Sequence, residues 1–102
     1  MVPEPDLDNR TALVTGSATR VGRELLLRVA ACGADVAVHY RESGTEAAAT
    51  AEEARERGVA ATTVQGDVTD PGDVDAMFGE AKAALGGVDI LVTVDGGRLA
   101  EL

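Results

Sequence analysis

The sequence predicts an α/β fold with a doubly wound parallel sheet. Short valine-rich runs alternate with longer segments of helical periodicity, which gives the order β-α-β-α-β-α-β. Strands that alternate with helices in this way form parallel sheets with right-handed crossovers. A strand order of 3-2-1-4 would place the first two helices on one face of the sheet and the third helix on the other.

The first strand and the first helix carry clear patterns. The predicted strand Arg10–Thr15 contains Leu13 and Val14 in succession, so we expect it to be covered on both faces. The predicted helix Arg20–Cys32 has apolar residues at helical spacing and is followed by Gly33, a residue that often ends helices. Together they form one β-α unit.

The remaining elements repeat this alternation. Strands are predicted at Ala34–Tyr40, Ala60–Gln65 and Val88–Val94, and helices at Ser43–Arg57 and Pro71–Leu85. Ser43 and Glu46 have the spacing of a capping box at the start of the second helix. Asp70 is expected to cap the third helix, with Pro71 at its first position. The lead-in 1–9 is expected to be loosely held, and residues 10–102 to form one domain.

Composition argues against several classes of protein. The net charge is −9 and includes a single lysine, so there is no basic face for nucleic acid. No apolar run is long enough for a membrane span and the N-terminus is acidic, so we expect a cytoplasmic protein. The one cysteine rules out an internal disulfide, and no residues have metal-ligand spacing, so we expect no metal site.

The segment Thr11–Gly22, TALVTGSATRVG, carries the main functional signal. It reads as a strand, a tight turn and a helix start, and a helix N-terminus binds phosphate groups through unpaired N–H groups and the helix dipole. We expect Gly16 to make the turn, Ser17 and Thr19 to offer hydroxyls, and Gly22 to let phosphates approach closely. The alternative is an ordinary βα turn with incidental glycines.

These residues resemble a known family. TGSATRVG, the Asp67-Val68 pair after the third strand and VDILV in the fourth are similar to the short-chain dehydrogenase/reductase family. The resemblance implies a Rossmann fold and NAD(P)-dependent oxidoreductase chemistry. It covers only the family's N-terminal, cofactor-binding part, so we expect a Rossmann-like sheet truncated after its fourth strand. An unrelated flavodoxin-like domain would explain the sheet but not these motifs.

The resemblance also implies a cofactor and its binding residues. The family pattern TGxxxGxG has glycine where this chain has Arg20. Arginine there, together with His39-Tyr40-Arg41 and Ser43 after the second strand, looks like the NADPH-using pteridine-reductase-like and 3-oxoacyl-carrier-protein-reductase-like branch. The expected cofactor-binding residues are Gly16, Ser17, Thr19, Arg20, Val21, Gly22, His39, Tyr40, Arg41, Ser43, Asp67, Val68 and Gly96.

Among these residues, the arginines favour NADP(H) over NAD(H). A 2′-phosphate prefers a guanidinium or a hydroxyl, whereas NAD binding prefers an acid near the end of the second strand. Glu42 is close enough to leave NAD open, and both Arg20 and Arg41 could simply be solvated. Asp67 would contact the adenine, although a plain loop carboxylate fits its position nearly as well.

Two departures from the family bear on activity. Asn-Asn-Ala-Gly after the fourth strand is replaced by Thr93-Val94-Asp95-Gly96, and the catalytic Tyr-x-x-x-Lys pair is absent because Tyr40 and Lys82 lie on different elements. We therefore predict the NADP(H)-binding half of a carbonyl or oxoacyl reductase, not catalytic on its own. The alternative is a non-catalytic dinucleotide-binding or interaction module that pairs its open sheet edge with a partner strand or a second copy.

Overall fold

A computed structural model of the chain describes residues 6–95, 98 and 99, with the side chains of residues 6–93. The strands are β1 (Thr11–Val14), β2 (Asp35–Tyr40), β3 (Ala61–Gln65), β4 (Ile90–Val92), β5 (Val94–Asp95) and β6 (Arg98–Leu99). The helices are α1 (Arg20–Ala31), α2 (Gly44–Glu56) and α3 (Pro71–Leu85).

Strands β1 to β4 form one parallel sheet in the order β3-β2-β1-β4, which confirms the predicted topology. Leu13 of β1 lies opposite Ala37 of β2 and Leu91 of β4, so β1 is central in the sheet. All four residues of β1 are buried, as the consecutive apolar residues predict. The carboxyl ends of β1, β2 and β3 therefore meet at one edge, where ligands of open α/β sheets bind.

The two faces of the sheet are covered unequally. On the face of α1 and α2, the buried apolar cluster consists of Val14, Ala18, Leu26, Leu27, Ala30, Val36, Val38, Ala47, Ala51 and Ala54. On the face of α3, it consists of Leu13, Ala37, Val64, Met77 and Ala81. Small alanines on α2 let this helix lie close to β2 and β3.

Two local expectations for helix starts have different outcomes. Asp70 caps α3, because its side chain accepts a hydrogen bond from the Gly72 amide at 2.9 Å. The predicted capping box at α2 is wrong: Ser43 occupies the N-cap position but makes no side-chain cap bond. Its backbone, at φ −100° and ψ 55°, lies outside the extended region that a capping serine normally adopts.

The fourth strand is shorter than predicted. It begins at Ile90, and the preceding Asp89 bonds to Thr11 of β1 twice: its carboxylate accepts the Thr11 amide at 2.9 Å, and its amide donates to the Thr11 carbonyl at 2.8 Å. After Thr93, strands β5 and β6 pair with each other as an antiparallel two-stranded sheet, which the sequence reasoning missed. Leu91 of β4 is 41% exposed.

Part of the predicted lead-in lies within the described residues. The Leu7 amide donates to the Cys32 carbonyl at 2.9 Å, which places this segment against the turn between α1 and β2.

Within the described ranges, every helix is too short or too polar to span a bilayer.

Candidate functional site

A cleft of about 210 Å³ opens at the carboxyl ends of β1 and β2. Its lining residues are Gly16, Ala18, Thr19, His39, Tyr40, Arg41, Glu42 and Ser43. Six of these residues are among the predicted cofactor-binding residues, so the fold brings that part of the set together. The lining comes from the end of β2, the β1–α1 loop (residues 15–19) and the β2–α2 loop (residues 41–43). The β3–α3 loop (residues 66–70) lies beside the cleft, where Asp67 contacts Arg41 and Gly66 contacts His39.

The N-terminus of α1 faces the same region. Thr19 is the N-cap residue and makes no side-chain cap bond, and the first turn contains no acidic residue. The first N–H groups of a helix lack intrahelical partners and carry the positive end of the helix dipole. Thr19 is exposed. This end of α1 can accept an anionic group.

Ser17 does not present its hydroxyl to the cleft. The residue is fully buried; its Oγ donates to the Val14 carbonyl at 2.6 Å and accepts from the His39 amide at 3.0 Å. The Ser17 amide in turn donates to the His39 carbonyl at 3.0 Å. The expected hydroxyl contact from Ser17 is therefore corrected, because the hydroxyl is used inside the protein to tie β1 to β2.

Gly22 is needed for a different reason from the one predicted. A Cβ at this position would lie 2.1 Å from the Gly16 carbonyl oxygen and 3.0 Å from the Ser17 Cα. Gly22 therefore lets α1 pack against the backbone of the β1–α1 loop, and it is buried rather than open to a ligand. The close approach that the glycine allows is between helix and loop.

Thr50 supports the β1–α1 loop and was missed at the sequence level. It is fully buried in α2, and its Oγ1 donates to the Ala18 carbonyl at 2.9 Å. The available signal was one hydroxyl residue in line with the buried alanines Ala47, Ala51 and Ala54. A lone polar residue on an apolar helix face indicates a buried hydrogen-bond partner.

His39 is a buried neighbour of both flanking loops. Its Nδ1 accepts from the Gly16 amide at 2.8 Å, and its Nε2 lies 2.8 Å from the Gly66 carbonyl oxygen. Both ring nitrogens are thus engaged by backbone groups, so His39 lines the cleft without a ring nitrogen left for a ligand. His39 is among the expected cofactor-binding residues, and the structure places its ring in contact with the two loops.

Arg41, Asp67 and Thr69 form a polar group at one side of the cleft, here called the rim, in which Arg41 and Thr69 are exposed and Asp67 is half-buried. Arg41 Nη2 lies 3.4 Å from Asp67 Oδ2, and the Arg41 side chain is 69% exposed. The Thr69 hydroxyl and amide donate to Asp67 Oδ1 at 2.6 and 2.8 Å. These bonds, with a smaller contribution from the Arg41 charge, hold the pKa of the Asp67 carboxyl below its usual value. Val68 beside it is 51% exposed.

Arg20 and Val21 lie apart from this cleft. They line a broader groove along the outer face of α1, which also contains Arg23, Arg28 and Arg57. Arg20 has a φ of 56°, a conformation that costs a non-glycine residue about 1–2 kcal/mol. Gly96 lies outside the described residues. Among the described residues, no three His, Cys, Asp or Glu side chains are grouped as metal ligands would be.

Comparison with known proteins identifies the family. The family model described as short chain dehydrogenase matches residues 10–101. This match covers nearly the whole chain. The chain belongs to the short-chain dehydrogenase family.

Individual relatives of the family support the same assignment. The chain is 39% identical over 83 residues to a 3-oxoacyl-[acyl-carrier-protein] reductase, FabG, of Staphylococcus aureus, covering 81% of this chain and 34% of that protein. It is 39% identical over 96 residues to 3beta-hydroxysteroid dehydrogenase 1 of Eggerthella lenta, covering 94% and 37%. A putative dehydrogenase from Burkholderia cenocepacia, solved with bound NADP, superimposes with a TM-score of 0.83 at 33% identity, covering 91% and 36%.

The chain thus spans about a third of the length of the short-chain dehydrogenases that it matches. The matched part carries the parallel sheet in the order 3-2-1-4 and the cleft at its carboxyl edge.

Proposed function

We propose that the chain is the NADP(H)-binding part of a short-chain dehydrogenase that transfers hydride to or from a carbonyl or oxoacyl group. On this proposal, the β1–α1 loop and the N-terminus of α1 hold the pyrophosphate, and Arg41 holds the 2′-phosphate of the adenosine ribose. The bound nicotinamide would supply the hydride. The chain has no Tyr-x-x-x-Lys segment, so the proton chemistry is assigned to residues outside it, and the chain alone is not catalytic.

The observation that carries the proposal is the position of Arg41. Its guanidinium is exposed beside the cleft just after β2, where it can meet a 2′-phosphate. Glu42 lines the same cleft, and an acid there would favour the 2′-hydroxyl of NAD, so the titration compares the two cofactors directly. The open N-terminus of α1, with no acid in its first turn, adds a second anion-binding element across the same cleft. NADP bound to the Burkholderia cenocepacia dehydrogenase also supports the choice of cofactor.

The test is a fluorescence titration of the purified chain with NADPH and with NADH. We expect saturable binding that favours NADPH, since only NADPH carries the 2′-phosphate. Arg41→Ala should weaken NADPH binding about tenfold or more, the effect of losing one charge-assisted hydrogen bond, and should change NADH binding less than about twofold.

Arg28→Ala is the matched control. Arg28 is exposed in the last turn of α1, at the end of the helix away from the cleft. Its substitution changes the net charge by the same amount as Arg41→Ala but removes no group beside the cleft. If Arg28→Ala weakens NADPH binding as much as Arg41→Ala does, Arg41 contributes only general charge attraction and does not bind the 2′-phosphate. A folded chain that binds neither cofactor would refute the proposed function.

The interaction-module alternative stays a prediction. Among the described residues β4 pairs only with β1, and Leu91 on it is exposed, so its free edge could accept another strand.

A further inference from the structure

One imidazole joins two loops that the chain places far apart. His39 Nδ1 accepts from the Gly16 amide, and His39 Nε2 meets the Gly66 carbonyl, both at 2.8 Å. Gly16 belongs to the β1–α1 loop and Gly66 to the β3–α3 loop, with β2 between them in the sheet. His39 is only 5% exposed. Its ring thus spans the carboxyl edge of the sheet from inside the protein.

Each of these loops is otherwise fastened to a different face of the sheet. The β1–α1 loop is held by Thr50 of α2 and by the close packing of Gly22 in α1. The β3–α3 loop is held by α3: the Asp73 carboxylate accepts the Asp67 amide at 2.9 Å, and a Cβ at Gly66 would lie 2.5 Å from the Met77 sulfur. Both loops also bond to the backbone of β2, through the Ser17 amide to the His39 carbonyl at 3.0 Å and the Gly66 amide to the Tyr40 carbonyl at 3.2 Å. The imidazole of His39 adds a direct side-chain connection between the two loops.

The hydrogen-bond geometry requires one form of the ring. A proton on Nδ1 would face the Gly16 N–H donor, whereas Nε2 faces a carbonyl oxygen and must carry a proton to bond to it. Only the neutral ring with its proton on Nε2 satisfies both backbone groups.

We infer that His39 is a positioning residue that sets the separation between the β1–α1 loop and the β3–α3 loop. The inference rests on the proposed function in one respect: a dinucleotide is the ligand that needs both loops in register, one for its pyrophosphate and one for its adenine. A group held in place before the ligand arrives lowers the entropic cost of binding, and this is the contribution assigned to the imidazole.

The two hydrogen bonds of the His39 ring, to Gly16 and to Gly66, are here called the bridge. Two substitutions each remove one of these bonds. In His39→Asn, the carboxamide oxygen can take the place of Nδ1 and keep the bond to Gly16, but the side chain is too short for Gly66. In His39→Gln, the amide NH₂ can take the place of Nε2 and keep the bond to Gly66, while the bond to Gly16 is lost. Both variants are neutral and of similar size, so each is the control for the other.

The first readouts need no cofactor. Imidazole ¹⁵N shifts of the wild-type chain should show a proton on Nε2 and a bare Nδ1. Hydrogen exchange of the Gly16 amide should rise about tenfold in His39→Gln and stay near the wild-type rate in His39→Asn, since one hydrogen bond is worth roughly that factor. A proton on Nδ1, or equal Gly16 exchange in the two variants, would overturn the bridge.

The cofactor readout separates positioning from simple loss of stability. NADPH reaches both loops, whereas adenosine 2′-monophosphate reaches only the Arg41 and Asp67 side. Both variants should weaken NADPH binding about tenfold and adenosine 2′-monophosphate binding less than about twofold. Equal losses for the two ligands would overturn the positioning role. If the wild-type chain binds no NADPH, the proposed function fails, and the exchange data still decide whether the bridge exists.

Discussion

The β1–α1 loop and the rim of the cleft both face the same cleft, yet different interactions hold them. In the β1–α1 loop, Ser17 is fully buried and its hydroxyl is used twice by neighbouring backbone. At the rim, the Arg41 side chain is 69% exposed, and its ion pair with Asp67 spans 3.4 Å beside water. Buried hydrogen bonds are costly to leave unmade, whereas exposed ion pairs contribute little.

This difference divides the predicted cofactor-binding residues into two groups. Ser17, Gly22 and His39 build the shape of the β1–α1 loop from inside the protein. Thr19 and Arg41 have side chains that a ligand can reach. Substitutions at Ser17 and Gly22 should therefore change stability, and substitutions at Thr19 and Arg41 should change binding. His39 is buried like Ser17 and Gly22 but bonds to both loops, so its substitutions should also weaken cofactor binding.

Gly22→Ala should have the largest effect on stability. The added methyl would lie 2.1 Å from the Gly16 carbonyl oxygen, a backbone atom that cannot rotate away. Shifting α1 or the β1–α1 loop should lower the free energy of unfolding by about 3 kcal/mol. Urea denaturation followed by circular dichroism measures the loss.

Gly79→Ala in α3 is the control for this prediction. A Cβ at Gly79 would meet no atom within 4 Å. Alanine is the better helix former by about 0.5–1 kcal/mol, so this substitution should raise stability. If the two alanines shift the urea midpoint in the same direction, close packing is not the reason for glycine at position 22.

Local patterns were sufficient to predict most of the fold. The valine-rich strands, the alanine-rich α2 and the Asp70 cap are encoded by neighbouring residues, and the strand order follows from their alternation. The exceptions lie where a side chain takes part in the pairing beside the backbone, as at Asp89, or where the backbone leaves the expected region, as at Ser43. Propensity and spacing do not report either event.

The site was less predictable because its contacts are distant in sequence. The partners of His39 lie 23 and 27 residues away, and Thr50 donates to a carbonyl 32 residues away. A motif such as TGSATRVG indicates where a phosphate loop lies but not which of its side chains turn inwards. The resemblance to a family supplied candidate residues, and burial decided what each one does.

Thr50→Val and Thr69→Val test the same substitution beside the β1–α1 loop and at the rim. We expect the loss of stability at Thr50 to be smaller than that of Gly22→Ala. Each removes a hydroxyl and keeps the side-chain size. At Thr50 the buried Ala18 carbonyl loses its partner, so the free energy of unfolding should fall by about 1–2 kcal/mol. At the exposed Thr69 the change should stay within about 0.5 kcal/mol. Similar losses at the two sites would contradict the division between loop and rim.

Asp67→Asn should have the smallest effect, and that effect should depend on pH. The folded protein lowers the pKa of Asp67 below 3.8, chiefly through the Thr69 hydroxyl and amide. The ionised carboxylate thus stabilises the fold at pH values above 3.8, and this contribution is lost as the pH falls through the lowered pKa. Wild type should be slightly more stable than Asp67→Asn at neutral pH, and the two should converge in acid.

The difference between the two urea midpoints across pH isolates Asp67, because every other carboxyl group titrates in both proteins. Thr69→Val should raise the pKa of Asp67 and shift the convergence to higher pH, since the largest cause of the lowered pKa is then gone. A constant difference down to pH values below the pKa would show that the rim acts through shape rather than charge. The contribution of the rim to stability would then come from packing, as that of the β1–α1 loop does. Solvent exposure would not explain why the contribution of the rim is small.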